Sequence, residues 1–193
     1  MASTEDHSSS SKSHTFDLGL GLENTHVLIT GGCGLIGQHV VRAFLAAGSY
    51  VSVLDITDTH PFSPDPKQRE GNLLYQKCSI TDSLALVSAF GFAEQTFGPI
   101  AMCIALASLD LSVLLQAESL ADADPEVWKR VFDVNVNGTF LTAQQWLRFL
   151  RRAVQKGKGE ELRNVGLVII GSVSGRFGER TMAAYAAGKS AVQ

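Results

Sequence analysis

The chain has 193 residues, 45% hydrophobic and 18% charged, with a formal net charge of −3. That composition suits one globular domain with a sizeable core, and it gives no electrostatic basis for a nucleic-acid or anionic-membrane partner. No run approaches the roughly 18 consecutive apolar residues of a membrane span, so a cytoplasmic location with no membrane partner is expected.

Residues 1–21 are Ser-rich and polar, without the apolar core of a secretory signal, and are expected to form a disordered tail. From residue 22 to 193, short apolar runs alternate with amphipathic stretches, the signature of βαβ units in a doubly wound parallel α/β sheet. His26–Thr30 reads as a buried first strand. Ile36, Val40, Val41, Phe44 and Leu45 then recur at helical spacing up to Gly48. Val51–Asp55 is the second strand, and residues 57–71, with three prolines, form a loop. Leu73–Cys78 reads as a third strand, Asp82 caps a helix to about Phe97, and Ile100–Ala105 is a fourth strand. Asp124 followed by Pro125 starts a helix expected to run to about Gln155, with Arg151 and Arg152 in its last turn. Val165–Ile170 is a buried fifth strand that delivers Ser172. Cys33, Cys78 and Cys103 have neither metal-knuckle nor redox-pair spacing and read as small buried hydrophobes.

Thr30, Gly31, Gly34, Leu35, Ile36 and Gly37 bridge the first strand and helix, with glycines at G-x-x-G-x-x-G spacing. Glycine permits a tight turn and close backbone approach to a pyrophosphate, and the helix N-terminus offers free N–H groups to it. The plain alternative is a structural turn. Asp55 ends the second strand 18 residues after Gly37. A carboxylate there accepts from adenosine ribose hydroxyls and repels a 2′-phosphate, favouring NAD over NADP; the alternative is a solvated acid closing a strand. Ala187-Gly188-Lys189-Ser190 is no phosphate loop, because position 183 is alanine and no apolar strand precedes it.

These segments, with Val134-Asn135-Val136-Asn137-Gly138-Thr139-Phe140 and Gly171-Ser172-Val173-Ser174-Gly175 through Tyr185-Ala-Ala-Gly-Lys189, resemble the short-chain dehydrogenase/reductase family. Ser172 precedes Tyr185 by 13 residues, and Tyr185 and Lys189 share a helix face. The resemblance implies an NAD(P)-dependent oxidoreductase acting on a small carbonyl or alcohol substrate. Tyr185 is then the acid/base, Lys189 lowers its pKa and binds ribose, and Ser172 holds the carbonyl oxygen. Asn135 would keep a kink and a water in its helix. Ser174 and Asn137 stand as rivals to Ser172 and Asn135, and Tyr185 alone also reads as a packing aromatic. Cofactor contacts are implied at Thr30, Gly31, Gly34, Leu35, Ile36, Gly37, Asp55, Ile80, Ala107, Tyr185 and Lys189.

The family's Asn-Asn-Ala-Gly run is replaced by Ala105-Leu106-Ala107-Ser108, and Ser79 stands where the family has an adenine-binding aspartate, which weakens adenine contacts. Leu109 to Asp124 is longer than typical and is expected to shape the substrate mouth. Against the family's shorter carbonyl-reductase branch the chain also reads as truncated, lacking later strands and the substrate-covering loop. Two other functions stay open: a dinucleotide-binding protein without catalysis, and an epimerase or dehydratase of the extended branch, suggested by the glycine spacing. Homo-oligomers are common in the family.

Overall fold

In the computed structural model, which describes residues 20–62, 71–110, 114 and 117–193, the apolar runs become five strands. These are β1 (His26–Thr30), β2 (Tyr50–Asp55), β3 (Leu73–Lys77), β4 (Met102–Ala105) and β5 (Gly166–Ile169). They pair in parallel in the order β3-β2-β1-β4-β5. The order reverses between β1 and β4, and open parallel sheets bind ligands at the carboxyl ends of strands beside such a reversal.

Strand alternation sends side chains to two separate cores, which is why the central strands read as continuous apolar runs. Val27, Ile29, Val51, Val53 and Ile104 face one side and pack on Val41 and Leu45 of α1 (Leu35–Ala46). Leu28, Leu54 and Cys103 face the other side. There they meet Leu86 and Phe90 of α2 (Ser83–Phe97) and Trp146 and Phe149, the Trp146 indole N–H donating to the Ile100 carbonyl at 3.1 Å. Asp82 caps α2 as expected, accepting from the Leu84 and Ala85 amides at 3.0 Å.

Two expectations need correction, on β5 and on Cys33. The helix after Asp124 is irregular around Asn135, where the resemblance implies a kink: α3 (Pro125–Phe132) and α4 (Thr139–Gln155) are joined by a π-helical stretch, Asp133–Gly138. Its cause lies in tertiary contacts. The Asn135 side chain is engaged outside the helix, and Gly138 packs so closely on Ile80 that a Cβ there would lie 2.6 Å from Ile80 Cδ1. β5 is not a buried strand: Val168 and Ile169 are 41% and 37% exposed, because among the described residues β5 pairs only with β4. Cys33 is only half-buried, unlike Cys78 and Cys103. Residues 1–19 of the expected tail, and 63–70 of the proline-rich loop, lie outside the described residues.

α5 (Val173–Phe177) and α6 (Ala183–Ala191) follow β5. Gly175 lets them close on each other; a Cβ there would lie 2.7 Å from the Lys189 carbonyl carbon.

Candidate active site

The glycine turn is shaped by contacts that exclude side chains. Gly31 has φ +71°, and a Cβ there would lie 2.6 Å from Ala107 Cα, so the end of β1 and the segment after β4 touch backbone to backbone. Thr30 adds to this junction, its hydroxyl accepting weakly from the Ala107 amide at 3.4 Å. A Cβ on Gly37 would approach Gly31 O to 2.2 Å, and one on Gly32 would meet Val53 at 2.7 Å. Gly32 lies inside the motif, but its packing role has no spacing signal. Gly34 differs: the nearest atom to its Cβ position is Gly31 O at 3.4 Å, and it caps α1 with no side-chain hydrogen bond. The first-turn N–H groups of an α-helix lack intrahelical partners. Here they sit beside Leu35 and Ile36, whose side chains are 79% and 64% exposed, so Ile36 faces outward instead of joining the apolar face of α1. An open helix start with a bare backbone approach fits a dinucleotide pyrophosphate.

Asp55 is almost buried. One carboxylate oxygen accepts from the Cys33 amide at 2.8 Å, tying the turn to β2, and the other accepts from Ile56 and Thr57 amides at 2.8 and 3.3 Å. The Cys33 thiol also hydrogen-bonds Asp55, so most of the roughly four acceptor positions of this carboxylate are engaged within the protein. Ile80 lies in the core and leaves only main chain for an adenine contact.

On the other side of the switch point stand Ser172, Tyr185 and Lys189. Ser172 caps α5, its hydroxyl oxygen accepting from the Ser174 amide at 3.2 Å, which leaves the hydroxyl proton available to donate. Lys189 is only 6% exposed; its ammonium donates to the Ile170 carbonyl at 2.7 Å, two residues before Ser172, and lies 5.8 Å from the Tyr185 ring centre. The lysine thus connects the tyrosine helix to the end of β5. Burial lowers the Lys189 pKa, and the negative charge of Asp110 opposes that shift. Asp110 is the one residue in this cluster that no motif signalled.

Asn135 is buried in the π-helical stretch. Its side-chain amide donates to the Leu109 carbonyl at 2.9 Å and its oxygen accepts from the Leu109 amide at 2.8 Å, a double clasp that sets the residue before Asp110. Asn137 is exposed and donates to Asp133. Tyr185 lies on the wall of a cleft of about 500 Å³, bounded by Leu114, by residues within 117–128 and by residues within 179–185. Thr181, also on that wall, is a β-branched residue at φ +69°, a conformation that stores strain and concentrates at functional sites.

The family model described as short chain dehydrogenase matches residues 25–193. The 3-oxoacyl-(acyl-carrier-protein) reductase MabA of Mycobacterium tuberculosis is 32% identical over 166 residues, 86% of this chain and 58% of that protein. Zerumbone synthase of Zingiber zerumbet is 30% identical over 156 residues, 78% of this chain and 55% of the synthase. The chain therefore spans somewhat over half the length of these curated relatives. A 3-ketoacyl-(acyl-carrier-protein) reductase from Brucella melitensis, solved in complex with NADH, superposes with a TM-score of 0.75 at 20% identity, over 89% of this chain and 66% of that one.

Proposed function

The chain belongs to the short-chain dehydrogenase family, and on that premise we propose that it interconverts a ketone and a secondary alcohol with a nicotinamide dinucleotide. A bound nicotinamide dinucleotide supplies or accepts the hydride; the chain's own residues do the rest. The observation that carries the reading is the pairing of Tyr185 and Lys189 at the cleft, with the lysine anchored to the end of β5 beside Ser172.

In the reductive direction the Tyr185 hydroxyl gives its proton to the carbonyl oxygen, and in reverse the phenolate removes it. The Lys189 ammonium, 5.8 Å from the Tyr185 ring centre and shielded from water, has hydrogens left over from its bond to Ile170 O for ribose hydroxyls. Ser172, with its oxygen already accepting from Ser174, points a donor at the substrate oxygen. Asn135 is a positioning residue in this reading. By clasping Leu109 it fixes Asp110, whose charge acts on Lys189.

The first-turn amides of α1, together with Gly31, Gly34 and Gly37, would hold the pyrophosphate, with Thr30, Leu35, Ile36 and Ala107 around them. The carboxylate of Asp55 at the end of β2 would repel a 2′-phosphate, which favours NAD over the phosphorylated form. The relatives named as reductases, and the neighbour solved with NADH, support the reading. The test is ketone-dependent loss of NADH absorbance. NADH is expected to be consumed faster than NADPH; no consumption of either across a broad carbonyl panel, despite dinucleotide binding, would favour a binding protein without catalysis.

A further inference from the structure

The cleft in front of Tyr185 has a definite electrical character. Its apolar wall is made by Leu120, Val127, Trp128 and Met182, with alanines between them. Its charged lining residues are all acidic: Glu118, Asp122, Asp124 and Glu179. Among the described lining residues there is no lysine or arginine. Arg180 stands outside the lining and reaches Glu118 at 3.5 Å, and the Lys189 ammonium lies 5.8 Å from the Tyr185 ring centre, so even with both counted the acidic residues lining the cleft outnumber the cations by two. The volume of about 500 Å³ lies within the range of small-molecule sites, roughly 300–1,000 Å³.

We propose that this cleft takes an uncharged ketone or secondary alcohol with an apolar body, and that it discriminates against substrates bearing a carboxylate or a phosphodiester arm. The proposal rests on the oxidoreductase reading above and names its substrate class. At the intermediate dielectric of a half-open cleft, each carboxylate within about 8 Å of an anion weakens its binding several-fold, and salt screens the effect. The apolar wall acts in the same direction, since a charged group moved against it loses hydration without gaining a partner.

Trp128, 42% exposed on the cleft wall, supplies the signal, because Trp146 is buried and contributes a constant background. The protein is titrated, without cofactor, with 4-phenyl-2-butanone and with the same ketone carrying a para-carboxylate. The neutral ketone should quench Trp128 saturably, with the carboxylate at least about tenfold weaker at low salt. In the Glu118→Gln/Glu179→Gln double variant the gap should close to a few-fold, with the neutral ketone unaffected. Equal or tighter binding of the carboxylate, no saturable quench by the neutral ketone, or an unchanged gap in a folded double variant would each overturn the proposal. Because the titration requires no turnover, a protein that binds the neutral ketone yet never oxidises NADH refutes the redox reading alone. One that prefers anionic ketones as substrates refutes only the charge selection.

Discussion

His26 opens β1, and its imidazole is buried between two partners: Nδ1 donates to the Gly98 carbonyl at 2.8 Å and Nε2 accepts from the Ser52 hydroxyl at 2.9 Å. Those two bonds suit the neutral ring. Protonation would turn the Ser52-facing nitrogen into a donor and place a charge in the sheet. Burial accordingly pushes the pKa from 6.5 down to about 4, the bond to Gly98 O opposing the shift. Between those values the unfolded chain binds a proton that the native chain does not, so stability falls as pH is lowered from 6.5, and the loss is complete below about 4. A difference of about 2.5 pH units corresponds to about 3 kcal/mol, a large part of the margin of an ordinary domain. Urea unfolding of the protein and of His26→Gln between pH ~7 and ~4 isolates this group from the carboxylates that also titrate in acid. The variant starts less stable, and the gap should shrink by about 3 kcal/mol, or reverse, toward pH 4. A gap that stays constant would refute the argument, because His26 would then gain its proton in the folded state without penalty.

Gly37→Ala forces a Cβ to 2.2 Å from Gly31 O and should destabilise by at least the ~1–3 kcal/mol of overpacking, with loss of NADH affinity by calorimetry. Gly34→Ala has room, so its thermal stability should change by no more than about 1 kcal/mol while dinucleotide affinity falls, because only the ligand approaches that face. Asn135→Ala leaves both the amide and the carbonyl of the part-buried Leu109 without their clasp and should cost about 1–3 kcal/mol in chemical denaturation. Asp110→Asn removes the charge that holds the Lys189 pKa up against burial. The lysine should then lose its proton at lower pH, and the alkaline limb of turnover should move in the same direction.

Much of the scaffold was legible because the central strands are buried on both faces: runs such as Val27-Leu28-Ile29 have no other stable placement. The first glycine turn was legible for a related reason, since Gly31 and Gly37 occupy positions where any side chain meets backbone. What escaped depended on partners distant along the chain. The π-helical stretch between α3 and α4 rests on contacts with Leu109 and Ile80, far along the chain, so the helical periodicity does not show it and only the family resemblance pointed to a kink at Asn135. Val165–Ile170 is apolar enough for a buried strand, yet its place at the edge follows from strand order, which composition does not encode. Asp110 carries no motif; it matters only because Asn135 clasps the residue before it and its charge acts on Lys189. Asp55 stood out as a ribose acceptor, but three of its acceptor positions serve the protein's own amides, which no spacing reveals.

The most direct measurement is single-turnover reduction of a neutral aryl ketone by NADH with Tyr185→Phe beside the unaltered protein. The substitution removes one oxygen from a half-buried ring that lines the cleft, so NADH and ketone binding should persist while hydride transfer falls by at least the ~10²–10⁴-fold of a lost proton donor. A Phe variant that reduces the ketone at the normal rate would contradict the role given to Tyr185.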